Sequence, residues 1–319
     1  MIQAVNIAKY YGPHAALEHL NLTMGKGEVV GLLGLNGAGK TTTLRILSGL
    51  LIPTHGEVIL GGVAMGEDPE AARRQIGFLP ETPPLYKDMR VRAYLEFAGR
   101  IRGVGKDQLD AQVDAALAAT DLLAVQHARI ATLSHGYHRR VGIAQTLVHK
   151  PAVILLDEPT SGLDPVQVVH MRRLIDNLRG RATILISSHV LTEIHALCDR
   201  IIVLSEGRVI AQGTEAELAT GAQGAMHVVL EVQGDGAVLQ NLLDSLPYVR
   251  AASVPEPLAT HLRLDVELDH DARDKLCAAL VQANFGVLTL ARQPVALEQT
   301  FLRLMGHHNT LGDPEERPS

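Results

Sequence analysis

Tryptophan is absent and aromatic residues make up only 3% of the chain. That removes the stacking platforms of single-strand nucleic-acid binders and the aromatic belts of membrane interfaces. Cysteine is nearly as scarce, with Cys198 and Cys277 the two present. Two thiols are too few for a disulfide framework and point to a reducing compartment. An excess of positive charge is also missing: 29 Lys and Arg stand against 35 Asp and Glu, a net of −6, so no nucleic-acid partner is expected. Long apolar runs are lacking too. A membrane-crossing helix needs about 20 such residues, whereas the best runs, residues 153–156 and 184–186, are strand-length. The amino-terminal residues 1–6 carry no basic stretch leading into an apolar one, so they do not read as a signal peptide. A soluble, cytoplasmic chain is expected.

What is present is a chain of 319 residues, 46% hydrophobic, enough for roughly two domains of about 150 residues each. From residue 27 the chain alternates strand-like and helix-like segments. Residues 27–33 read as a strand and 39–51 as a helix stopped by Pro53, with Leu44, Leu47 and Leu51 on one face. Short strands follow at 56–60 and 75–79, then helices at 91–102 and 106–122. The apolar runs 152–156 and 183–187, each flanked by helical patterns, read as buried parallel strands, and 200–204 is a further strand. Residues 220–224, Thr-Gly-Ala-Gln-Gly, look like a linker. Beyond them strands at 226–232, 261–268 and 287–290 alternate with helices at 237–246, 271–283 and 296–305, a small α+β unit, before a polar tail from residue 306. The expected division is therefore 1–220, 221–305 and a disordered 306–319, with a helical subdomain over about 82–150.

Two motifs carry chemistry. Gly34-Leu35-Asn36-Gly37-Ala38-Gly39-Lys40-Thr41 lies between a strand and a helix and fits the phosphate-loop pattern, with Thr42 following. Its glycines let backbone N–H groups turn toward a phosphate at the positive end of the helix. Lys40 would reach the β- and γ-phosphates and Thr41 would bind Mg²⁺. The apolar run at 153–156 then ends in Asp157-Glu158-Pro159, placing two carboxylates at the carboxyl edge of the sheet, where α/β ligand sites lie. Asp157 suits the metal shell, and Glu158 suits polarisation of an attacking water.

Over roughly residues 2–220 the chain resembles an ABC-transporter ATP-binding subunit. Leu133-Ser134-His135-Gly136-Tyr137 is similar to the family's LSGGQ signature, departing at His135 and Tyr137, and Ser161-Gly-Leu-Asp164 resembles its D-loop. His189 stands where the family has its switch histidine, and Tyr11 where an aromatic ring stacks on adenine. Glu81 replaces the glutamine of the lid loop; it can hold the metal's water shell but, ionised, cannot donate a hydrogen bond. Glu81 and Tyr137, together with Val141-Gly-Ile-Ala-Gln145 and the segment 297–303, resemble the gliding-motility and multidrug export-type branch.

The resemblance implies a P-loop NTPase fold, α/β with a helical subdomain, plus the small carboxy-terminal α+β domain. It implies ATP and Mg²⁺ as ligands, with Tyr11, residues 34–42, and Ser134 and Gly136 binding nucleotide. Thr41, Asp157 and Glu81 would serve the metal, and Glu158 and His189 catalysis. Two copies would close on ATP, the signature of each sealing the phosphate loop of the other, to drive a separate membrane permease that contacts the segment 81–94, with Leu85 and Tyr86 inside it. The subunit would then sit peripherally on the cytoplasmic face of the membrane. A soluble ABC ATPase serving a non-transport partner is the alternative. It predicts tandem ATP modules or a long coiled-coil insertion, and the sequence has neither.

Overall fold

A computed structural model describes residues 1–214, 217–218, 226–258 and 260–292. The chain divides into two compact units, Met1–Gln212 and Gly213–Ser319.

The first unit opens with a hairpin that the apolar spacing does not announce, β1 (Ile2–Tyr11) and β2 (His14–Met24), extended by β4 (His55–Leu60) and β5 (Val63–Ala64) in the order β2-β1-β4-β5. Its alternation is broken on both strands at once. Burial falls on Ile2 and Ala4 and then on Ile7, and on Leu17 and then on Leu20 and Leu22. The shift comes at Asn6 and His19, both at φ 49, joined by a 2.8 Å bond between His19 Nδ1 and Asn6 Oδ1. A paired bulge of this kind shifts the apolar set between even and odd positions and hides the period of two.

The second sheet has the order β10-β9-β3-β8-β7-β6, built from β3 (Val29–Leu33), β6 (Ile76–Leu79), β7 (Val153–Asp157), β8 (Thr183–Ser188), β9 (Arg200–Ser205) and β10 (Arg208–Gly213). β3 pairs in parallel with β8 and β9, and β7 with β6 and β8. Every residue of β3, β7 and β8 is buried, which is why these strands are continuous apolar runs rather than alternating ones. Helix α1 (Lys40–Leu47) leaves the carboxyl end of β3, and α2 is Pro69–Arg74. Helices α3 (Val91–Ile101), α4 (Lys106–Ala119) and α5 (His135–Leu147) bury a core of their own, with Tyr94, Leu95, Val113, Leu117 and Val141 inside it. α6 (Pro165–Leu178) and α7 (Leu191–Leu197) complete the unit.

Two helices stop earlier than their apolar spacing suggests. α1 ends at Leu47, not at residue 51, because Gly49 turns left-handed at φ 71. The Gly49 N–H then bonds the Ile46 carbonyl and the Leu50 N–H bonds that of Arg45, a Schellman closure that satisfies carbonyls before Pro53 is reached. α4 ends the same way with Asp121 at φ 54 and Leu122 N–H on Leu117 O. Leu122 is thereby folded back, fully buried, into the core that holds Leu117.

The second unit runs β11 (Met226–Gln233), α8 (Gly236–Ser245), β12 (Val249–Ala252), β13 (Glu256–Pro257), β14 (Leu262–Leu268), α9 (Arg273–Gln282), β15 (Gly286–Arg292). Its sheet order, β12-β14-β11-β15 with antiparallel pairing, is the split βαβ arrangement. Met226, Val228, Leu230 and Val232 alternate onto the face covered by Leu239, Leu243, Leu276 and Leu280. The linker expected at 220–224, the helix expected at 296–305, the export-type segment 297–303 and the tail from 306 lie outside the described residues.

Candidate functional site

The carboxyl ends of β3, β7 and β8 deliver three adjoining loops. After β3 the chain turns through Gly39, at φ 104, into α1, so the first amides of the helix end the loop. Lys40 is only 6% exposed and folds back over that loop. Its Nζ donates to the carbonyls of Gly34 at 2.7 Å and Leu35 at 3.3 Å, and it lies 3.3 Å from Glu158 Oε1. Beyond β7, Glu158 holds its other oxygen, Oε2, 2.9 Å from Nδ1 of His189, the residue after β8. An ionised carboxylate only accepts, so this bond requires a proton on Nδ1 of the ring. Ser187 closes the junction between the strands: its hydroxyl donates to Asp157 Oδ1 at 2.6 Å and accepts from the Glu158 N–H at 2.9 Å.

Lys40, Glu158 and His189 line one cleft of ~480 Å³ with Tyr11, Leu35, Asn36, Gly37, Gly39, Thr41, Thr42 and Glu81. A ring, an amide-rich loop, a buried cation and a histidine-bonded carboxylate thus meet in one place, as a nucleoside triphosphate and an attacking water would require. Asp157 Oδ2 is buried with no hydrogen-bond partner among the described residues. Together with the Thr41 hydroxyl on the cleft wall, this oxygen fits a hard divalent cation.

Ser134 and Gly136 are not in that cleft. They line a second one, of ~520 Å³, with Tyr137, Arg140, Asp164, Gln167 and His170. There Ser134 caps α5 and Asp164 caps α6, each accepting from a first-turn N–H.

The first cleft also includes His14 and Ala16, which neither the motifs nor the resemblance assign to the site, and Ser161, which opens the D-loop-like segment. His14 had a signal: the Gly12-Pro13 turn sets it directly opposite Tyr11 in the hairpin. Tyr11 is half exposed, and Lys9 Nζ stands 5.4 Å from its ring centroid.

Of the apolar pair expected to face a permease, Leu85 is partly buried against the core of the helical segment. Tyr86 remains 59% exposed, edge-on to Tyr94 and Phe97. His138 Nε2 bonds the Ile130 carbonyl at 2.7 Å, and no group of three metal-ligating side chains occurs among the described residues. Burial pushes the Cys198 thiol up to about 12, leaving it unreactive.

The family model described as "ABC transporter" matches residues 17–161. The linearmycin resistance ATP-binding protein LnrL of Bacillus subtilis (strain 168) is 32% identical over 96% of this chain and 98% of its own. The Nod factor export ATP-binding protein I of Cupriavidus metallidurans is 35% identical over 96% of this chain and 97% of its own. Among solved structures, the dimeric post-hydrolysis state of the ATP-binding cassette MJ0796 bound to ADP and Pi aligns with a TM-score of 0.62 and 27% identity, over 67% of this chain and 98% of that one.

Proposed function

The chain belongs to the ABC transporter family as an ATP-binding subunit and ATPase, and from that membership we propose that it powers an exporter whose permease is a separate chain. The names of two relatives, one for linearmycin resistance and one for Nod factor export, support the direction of transport. Among the described residues no helix is long and apolar enough to cross a membrane; membership of a transporter's ATP-binding subunits supports a peripheral place on the cytoplasmic face. Tyr86 is the residue we assign to the permease contact.

In this reading Tyr11 stacks on adenine and the amides of residues 34–39 cradle the β-phosphate. Lys40 spans the β- and γ-phosphates, and Thr41 and Thr42 close the cradle at the start of α1. Asp157 Oδ2, the Thr41 hydroxyl and, through water, the Glu81 carboxylate would hold Mg²⁺. When bound, that ion supplies charge neutralisation at the phosphate oxygens. Glu158 polarises the water that attacks the γ-phosphorus. His189 orients Glu158 through Nδ1–H and can donate from Nε2 to a γ-phosphate oxygen only as an imidazolium.

The observation that carries this reading is the separation of the two clefts. Lys40 and Glu158 line one, Ser134 and Gly136 the other. Each chain then offers two half-sites, and two copies arranged about a twofold axis complete two whole ones. The Glu158→Gln variant tests it by size-exclusion chromatography and phosphate release. ATP is expected to drive a persistent dimer while turnover falls about a hundredfold or more. A monomer at saturating ATP, or release at the unmodified rate, overturns the proposal.

A further inference from the structure

Arg139, five residues after Ser134, is 3% exposed. Among the described residues its guanidinium makes no side-chain hydrogen bond or ion pair but spans backbone carbonyls from two loops. Nη1 donates to Glu81 O and, at 3.5 Å, to Pro80 O, and Nη2 donates to Ser161 O at 3.3 Å. Glu81 and Ser161 are both walls of the Lys40 cleft, while the helix that carries Arg139 begins at the Ser134 cap of the other cleft. The helix and the loop are also in close contact, for a Cβ added at Gly142 would come 2.7 Å from Leu79 and 2.9 Å from Pro83.

A buried guanidinium is an expensive way to join loops, since apolar residues of the same volume do so at lower desolvation cost. Here burial lowers the pKa of Arg139, and the carboxylates of Glu81, Asp157 and Glu158 oppose the drop. The cation therefore senses the acidic groups of the cleft while holding its walls. Its Nε has no partner among the described residues, so the fork reaches outward to the loops rather than being closed on itself.

We propose that Arg139 is a positioning residue that couples the two clefts of one chain, tying the Glu81 and Ser161 carbonyls of its own ATP site to the helix that presents Ser134 to the partner's. The inference rests on the two-copy reading above. When the partner's triphosphate engages the start of α5, the displacement passes through the guanidinium fork to Glu81 and Ser161. Each site then reports its occupancy to the other. Arg139 touches neither nucleotide nor the phosphate loop, so its loss leaves ATP capture intact and impairs the hydrolytic step.

The test uses the full chain as R139M and R139K. Four quantities are measured: ATP affinity in EDTA, the ATP dependence of hydrolysis, the Mg²⁺ dependence of hydrolysis, and the thermal midpoint. For R139M the affinity is expected within about twofold of the unsubstituted chain, with kcat down about tenfold to a hundredfold, the loss corresponding to charge-assisted hydrogen bonds. The Hill coefficient for ATP should fall toward one and half-saturation by Mg²⁺ should move upward. R139K, which keeps the charge and can reach one carbonyl, should recover part of each, and it carries the test alone if R139M does not fold. Variants with unaltered kcat, Hill coefficient and Mg²⁺ midpoint overturn the inference. So does a loss of activity that tracks the thermal midpoint without partial rescue by lysine. An unsubstituted chain whose hydrolysis shows no cooperativity in ATP also overturns the inference, whereas a chain that stays monomeric at saturating ATP removes the two-copy reading.

Discussion

Glu158 stands in the left-handed backbone region at φ 47, a conformation that costs a non-glycine residue of order 1 kcal/mol. Its N–H on Ser187 and its two carboxylate oxygens on Lys40 and His189 hold it there. Lys40, Asp157 and Glu158 are legible in the sequence because the chemistry dictates their spacing. His189 is legible only through the family resemblance. Arg139 is not, because its role depends on being buried, and next to Arg140 it reads as surface charge. His149 is equally silent. Its Nε2 bonds Ile76 O at 3.2 Å, its Nδ1 is buried without a partner among the described residues, and burial with Arg102 nearby lowers its pKa from 6.5 to about 4. Below pH 6.5 the unfolded chain takes up a proton that the fold refuses until about pH 4. Stability is thus unaffected above that window and declines as pH falls through it, by at most about 1.4 kcal/mol per pH unit. Urea denaturation of His149→Gln, which retains a donor for Ile76, should show a shallower loss between pH 6.5 and 4 than the unsubstituted chain.

Among the elements, the parallel strands can be read from sequence because burial on both faces writes itself as an unbroken apolar run. The amino-terminal hairpin escapes because Asn6 and His19 shift its alternation on both strands together. Helix ends are misplaced for a related reason. Leu51 and Leu122 continue an apolar spacing that the backbone has already abandoned at Gly49 and Asp121. Gly49→Ala isolates this effect: alanine at φ 71, with its methyl 2.9 Å from Met65 Sδ, should cost about 1 kcal/mol or more. The thermal midpoint should fall by a few degrees, while ATP affinity, set at the other end of α1, stays unchanged.

At the scale of the molecule, the two half-sites proposed for each chain can be tested by complementation in solution. A Lys40→Ala chain lacks a working phosphate loop and keeps Ser134; a Ser134→Arg chain has the reverse defect. Each alone should be inactive, whereas an equimolar mixture forms some dimers with one whole site. Phosphate release from the mixture should exceed the sum of the two parts, and strict additivity would show that each chain completes its own site.

In the two-copy reading, the placement of Lys40 and Ser134 in different clefts also sets a kinetic order. A catalyst completed within one chain works at the same specific rate however dilute it is. One shared between two chains loses specific rate on dilution and regains it when something gathers the copies. A membrane complex that holds two of these subunits side by side would supply that proximity, so ATP would be consumed where the assembly stands and spared where stray subunits drift.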